Sequence, residues 1–444
     1  MKKRKLNLLL LPLLLLTCLP SSALAQREIR TYYDPQKQHV QEIYFVQADN
    51  ETYIGKYQRY YESGGLMVEG NFADGKKSGD FTEYHENGKQ ARVLTYVNGL
   101  RHGPVKVYNE DGDPVQQAFY QNDILADSVQ VYFDDGSLRG AAYFAGGKPD
   151  GLVKEYYQSG EIKKVITYHN GKPNGVARTF YFDGKVETES FFKDGVLTGY
   201  YKTYFHNGQL ETISTLEEGT KQGKFKGYDR DGNLILEGSF TEGKLDGPNI
   251  GYFSDGSVQH RFNYKAGAKT GTNFEYYPDG KVKTKEVVAS NNQDRTVEAY
   301  DETGLVQWQK QYRNTLPHGT WVIYGEDGKT PKVRETYADG KLTGERLEYF
   351  PGGKVSTSAT YKFGLLAGPF KTYFEDGTLA SSVEYKGNRM IGKFVSYHPN
   401  GKIREQGEYA ANKRHNEWKV YDAEGKLEKT IMYRAGTVLE ESSH

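Results

Sequence analysis

Glycine returns at a fixed interval of 24 residues along almost the whole chain. Sixteen repeats can be laid out, beginning at Gly55, Gly79, Gly103, Asp127, Gly151, Gly175, Gly199, Gly223, Gly247, Gly271, Arg295, Gly319, Gly344, Gly368, Gly392 and Asn416. Every step is 24 residues except Gly319 to Gly344, which is 25, a single inserted residue. A period this short holds one supersecondary unit, and such a unit buries enough surface only when stacked on its neighbours.

Counting from the first residue of each repeat, position 10 is glycine in all sixteen, and the residue before it is Asp or Asn in eleven. Asn-Gly and Asp-Gly tolerate positive φ, so the pattern predicts a tight hairpin turn at positions 9 and 10. Position 21 is glycine in eleven repeats, with Asp123, Asn291, Asn388, Asn412 and Thr315 in the others, and marks a second turn. Position 6 is Tyr in fifteen repeats and Phe180 in the sixteenth; position 18 is Tyr or Phe in fourteen; position 12 is Leu, Ile or Val in thirteen. Ile162, Ile166 and Tyr168 fall at even spacing, the period-two register of a strand with one better-buried face.

Each repeat is therefore predicted to be strand, turn, strand, turn, giving about 32 strands that pair in sequence as an antiparallel meander. The expected fold class is all-β: an elongated, single-layer antiparallel β-meander or solenoid of about sixteen tandem β-hairpin repeats, preceded by a signal peptide. A hydrophobic fraction of 36%, with 51 Gly and 37 Tyr, suits a thin sheet with many turns better than one thick core. The tyrosine column at position 6 is expected to be the ladder that joins neighbouring repeats.

The chain opens with Lys2, Lys3, Arg4 and Lys5, then an apolar run from Leu6 to Leu16, then Ala23-Leu24-Ala25. A basic region, a short apolar region and an A-x-A site together predict a secretory signal, residues 1–25, cleaved between Ala25 and Gln26. The run is too short for a comfortable transmembrane helix, and Leu16-Thr17 fits poorly the motif that would lipidate Cys18. Cleavage leaves 54 Lys+Arg against 58 Asp+Glu, a net charge of −4, and no cysteine. That balance gives no electrostatic case for nucleic acid, and no second apolar stretch would cross a membrane. Residues 26–54 read as N-terminal cap strands, 55–440 as the sixteen repeats and 441–444 as a polar tail. The expected location is extracytoplasmic: periplasmic, at the cell surface or secreted.

Stretches such as Gly79-Asp80-Phe81-Thr82-Glu83-Tyr84-His85-Glu86-Asn87-Gly88-Lys89 resemble the MORN-repeat variant found in many bacterial proteins. Tyr156, Tyr157, Gly160, Ile162, Tyr168, Gly171, Lys172 and Gly175 follow that pattern closely, and the resemblance extends over residues 55–440. It implies a non-catalytic interaction or scaffold module. Eukaryotic relatives are linked to membrane and protein contacts, and some bacterial relatives are labelled antitoxin components, a role that suits an exported chain badly.

Nothing in the sequence assembles catalytic chemistry. The ten histidines are dispersed, although His85 and His398 share position 7. No H-E-x-x-H, G-x-S-x-G or P-loop occurs, so no catalytic residue, metal site or cofactor is expected. Acidic residues recur at positions 8 and 9, as in Asp134-Asp135 and Glu326-Asp327; paired carboxylates suit Ca²⁺, but Asp also fits such turns for backbone reasons.

The repeat departs furthest from its pattern at residues 286–321, where Arg295 stands for the leading glycine, Asn291 and Thr315 for turn glycines and Val288 for an aromatic. Local inconsistency of this kind marks functional or strained sites. Trp308, Tyr312 and Trp321 are accordingly the candidate partner-binding residues, aromatic anchors for an envelope or secreted protein. Two other readings remain open: glycan or cell-wall binding through aromatic rows, and an enzyme built as an eight-bladed propeller. The second is disfavoured because odd and even repeats do not alternate.

Overall fold

The computed structural model describes residues 26–444. The signal segment, residues 1–25, lies outside the described residues. Contacts divide the chain after Gly184 into an N-terminal and a C-terminal compact unit. In the N-terminal unit the strands run from Arg27–Tyr32 to Lys172–Phe180, each antiparallel to the next in sequence. The C-terminal unit repeats this order from Val186–Lys193 to Thr437–Ser443. All 39 strands are antiparallel and no helix occurs among the described residues. Four of the strands are two-residue leading pieces cut off by a bulge: Lys244–Leu245, Ala268–Lys269, Leu316–Pro317 and Lys341–Leu342. Joined to the strands they lead into, and without the first two strands and the last, they leave the 32 strands that sixteen hairpins require. The cap residues form Arg27–Tyr32 and Val40–Val46. The last strand runs to Ser443, so residues 441–443 continue the sheet rather than trailing from it.

The two turns exchange the roles that the sequence suggested. Both residues with positive φ lie at positions 20 and 21, as in Asp74 (49°) with Gly75 (74°) and Asn170 (49°) with Gly171 (83°). Ala73 pairs with Lys76 across the first of these, the two-residue hairpin with a type I′ signature. At positions 9 and 10 only the glycine has positive φ. The Asp or Asn before it instead accepts a backbone N–H two residues on: Asn87 from Lys89 (3.0 Å), Asp135 from Ser137 (2.9 Å), Asp279 from Lys281 (3.0 Å). This is the Asx turn. Those bonds help hold the Asp135 and Asp279 carboxylates below the usual range. Asp135 is pulled down to about 2, first by the Ser137 hydroxyl and then by the Gln158 amide. The inserted residue of the 25-residue repeat is absorbed here too, because Gly325 N reaches Thr330 O where other turns close one residue sooner.

One hairpin tip departs from this turn chemistry. Phe363 occupies position 20 with φ 52° and is 70% exposed. A bulky residue in the left-handed region costs about 1–2 kcal/mol. Phe363→Asn is therefore expected to stabilise the protein by about 1 kcal/mol in urea denaturation; no gain would show that the exposed ring makes a compensating contact.

The core lies on one face of the meander. Position 3 pairs with position 16, and position 1 with position 18, as Phe81 does with Leu94 and Gly79 with Tyr96; alternate residues share a face. Phe81, Leu94, Val105, Ala118 and Ala177 are buried in the N-terminal unit, and Ala359, Val383 and Trp418 in the C-terminal unit. Rings at positions 3 and 18 touch: Phe81 with Phe72 at 5.5 Å and with Tyr96 at 5.3 Å, Phe225 with Phe240 at 4.8 Å, Phe370 with Tyr385 at 5.7 Å. A residue at position 23 covers them, often a cation: Lys77 sits 4.6 Å from the Phe81 ring and Arg101 4.2 Å from Tyr120, a favourable placement.

The position-6 tyrosines are not this ladder. They take the opposite face, where some hydroxyls bond to the preceding repeat, Tyr84 to Glu69 (2.8 Å) and Tyr252 to Glu237 (2.7 Å), and others within their own, Tyr132 to Gln130 and Tyr300 to Glu298. Burial first, and then the carboxylate, push the Tyr84 and Tyr252 phenols above their ordinary pKa. Position 7 adds a second tie. Tyr61 donates to Tyr84 O (2.7 Å) and Tyr277 to Tyr300 O (2.8 Å), while His85 and His398 reach Tyr108 O (3.1 Å) and Tyr421 O (2.9 Å). The two histidines that share a position thus have one structural task, joining each repeat to the next.

Candidate binding face: a row of alternating rings and cations

Fifteen of the sixteen leading residues have positive φ and sit at a bulge that shifts the register, as between Glu69–Thr82 and Asn71–Ser78 pairing. Arg295 is the exception. Its strand pairs without interruption from Thr284–Ala299 to Val288–Arg295, and the connecting turn is longer, Ala289 N bonding to Asp294 O. Residues that elsewhere make the bulge have moved into the turn, so the 24-residue spacing survives. In the extended conformation Arg295 keeps a side chain where thirteen repeats have glycine, and it lies directly opposite Tyr312.

The consequence is a continuous row on the core face. The Arg295 guanidinium lies 4.9 Å from the Tyr312 ring. Tyr312 meets Trp321 at 5.3 Å. The Lys310 ammonium lies 4.8 Å from Trp321 and 4.3 Å from Trp308. All three candidate residues from the sequence are thus brought together, on the strands Val306–Arg313 and Gly319–Tyr324. They are half-buried rather than freely exposed. The Trp321 indole N–H donates to Gln311 O (2.7 Å), which fixes the ring. Burial pushes the Tyr312 phenol above its ordinary pKa, against the pull of Arg295.

Sequence reasoning missed Lys310 and His318 and took Arg295 only as a lost glycine. Their signal was positional: position 16 is Leu94, Ala118, Ile166 or Val383 in four other repeats, but Glu286, Lys310 and, past the inserted residue, Glu335 in three successive ones, a run of charge on a core face. The charges are partly matched. Glu286 takes Arg295 (3.2 Å) and Lys269 (3.4 Å), and Asp294 takes Arg313 (2.8 Å). The Arg313 bond is the main reason that the Asp294 carboxyl sits below its ordinary pKa. On the next strands Arg346 holds Glu335 (2.9 Å) and Glu348 (2.5 Å).

Two clefts border this region. One, about 520 Å³, opens beside the widened turn at Gly325 and Thr330, but Asp327 there is already satisfied by Lys329 N and Thr330 N, both at 2.9 Å. The other, about 400 Å³, is lined by Asp294, Arg295, Tyr312, Arg313 and His318 among others.

The sequence pattern described as the MORN repeat variant matches eleven stretches: residues 53–74, 101–122, 149–170, 173–194, 197–217, 221–242, 269–287, 342–363, 366–386, 390–411 and 414–435. The chain belongs to that family. The widest gap between MORN matches, residues 288–341, contains the whole ring-and-cation row. Comparison with curated proteins gives no match. Among solved structures, the MORN chain is similar to TcdB2-TccC3 without its hypervariable C-terminal region, at 12% identity and a TM-score of 0.15, covering 92% of this chain and 24% of that one. It is also similar to the Photorhabdus luminescens Tc holotoxin pore carrying the TccC3 change D651A, at 12% identity and a TM-score of 0.13, covering 93% and 27%. The MORN chain thus spans about a quarter of the length of these structures.

Proposed function

We propose that this MORN chain is an exported, non-enzymatic scaffold that binds a protein partner at or outside the cell envelope. The observation that carries the reading is the row from Arg295 to Trp308, built where the repeats leave their pattern. Tyr, Trp and Arg are the side chains that dominate protein interfaces. Export rests on the basic and apolar opening of the sequence. Protein is preferred to glycan because sugar stacking needs a bare ring face, and the Lys310 ammonium lies over both indoles.

Affinity capture with tagged residues 26–444 from envelope and culture-supernatant fractions tests the proposal. One protein is expected to be enriched and then lost with the folded Trp308→Ala/Trp321→Ala variant. No enriched protein, or equal enrichment on the variant, would overturn it.

A further inference from the structure

Within the described residues five buried side-chain polar atoms have no hydrogen-bond partner, and two of them, Arg295 Nε and His318 Nδ1, belong to residues that line the same 400 Å³ cleft. A buried polar atom left without a partner is costly. Two such atoms on residues lining one cleft point to a polar group from outside the chain. The charges agree. Around the cleft Arg295, Arg313 and Lys269 are matched by Glu286 and Asp294, with Asp339 also acting on Arg313, whereas Lys310 has no carboxylate within ion-pair distance among the described residues, its ammonium lying over indole rings. Glu335, on the strand beyond Trp321, does not make up the deficit, because Arg346 and the Tyr337 hydroxyl (2.9 Å) already occupy it.

We propose that this cleft receives a carboxylate of an acidic peptide segment, an Asp or Glu side chain of the bound protein, held by Arg295 and His318 while neighbouring parts of the peptide lie on the Tyr312–Trp321–Trp308 row. The inference rests on the protein-binding reading and names the chemistry of its partner. A carboxylate suits the Arg295 guanidinium and His318 in the form that carries a proton on Nδ1, and charge-assisted bonds are roughly twice as strong as neutral ones.

The test is titration of residues 26–444 with hexaglutamate and with hexaglutamine, read by tryptophan fluorescence. Of the three tryptophans, Trp321 touches the cleft-lining Tyr312 and Gln311, Trp308 lies further along the row, and the fully buried Trp418 serves as an internal reference. Hexaglutamate is expected to change the emission saturably and hexaglutamine to leave it unchanged. Arg295→Gln, His318→Gln and Lys310→Gln are each expected to weaken hexaglutamate about tenfold, the weight of one charged hydrogen bond, with unchanged circular dichroism. Equal response to the two peptides, or undiminished binding in all three variants, would overturn the site. Tighter binding of a sulfated oligosaccharide than of hexaglutamate, with the same losses, would overturn the peptide assignment in favour of an acidic glycan. Capture that succeeds and is not competed by hexaglutamate would sink this inference alone. Capture that fails while hexaglutamate binds would sink the scaffold reading alone.

Discussion

Trp418→Ala is expected to destabilise the C-terminal unit by about 3–5 kcal/mol, the range for emptying a buried large aromatic site. Trp418 has 0% of its surface exposed. It stacks on Phe394 at 5.4 Å, meets Tyr409 edge-on at 5.1 Å and Tyr433 at 6.2 Å, and its indole N–H bonds to Glu408 O at 3.1 Å. Arg414 covers the other side, 4.1 Å from the ring. Removing the ring leaves a void that its neighbours cannot close, because each is fixed by its own strand, and it strips Arg414 of its platform. In a repeat protein such a loss acts first on the repeats in contact. Hydrogen exchange should therefore show early opening of Lys413–Tyr421 and Leu427–Arg434. A loss below about 1 kcal/mol by urea denaturation would mean that the aromatic contacts do not carry the stability of this end.

The repeat period, both turn positions and the two-strand unit were legible because each rests on local chemistry. Glycine at position 10 and Asn, Asp or Gly at position 21 are demanded by backbone angles that few residues adopt. The exchange of roles between the turns was not legible, because Asn-Gly and Asp-Gly satisfy an Asx turn as readily as a type I′ turn. The leading glycine gave no sign of its bulge either. Position 3 escaped notice for a different reason: it is Phe81, Val105, Ala177, Asn249 and Trp418 in different repeats, so no residue type recurs. What recurs is a volume shared with position 16 across the strand. The binding face was half legible. Trp308, Tyr312 and Trp321 announced themselves by type, but the partners Arg295 and Lys310 depend on register, and Arg295 faces Tyr312 only because its bulge is missing.

The shared volume between positions 3 and 16 makes a sharp prediction in the N-terminal unit. A methyl group on Gly70 would fall 2.6 Å from the Phe81 ring, closer than real Cβ contacts allow, and Phe81 is only 1% exposed. The ring lies against the Gly70 backbone and is held there by Phe72 at 5.5 Å and Tyr96 at 5.3 Å. It therefore cannot swing aside without breaking those contacts. Gly70→Ala should accordingly cost about 1–3 kcal/mol, the usual penalty for overpacking, although alanine is no worse than glycine for a strand backbone. Phe81→Val alone should cost a comparable amount through the cavity it leaves. Together the two changes should cost less than their sum by about 1–2 kcal/mol, since the methyl then fills space that the ring has vacated. Additive losses would mean that the ring does not depend on the glycine. Sub-additive losses would identify position 16 as the place where this family adjusts its core, which explains how position 3 varies from alanine to tryptophan while the meander keeps its 24-residue step.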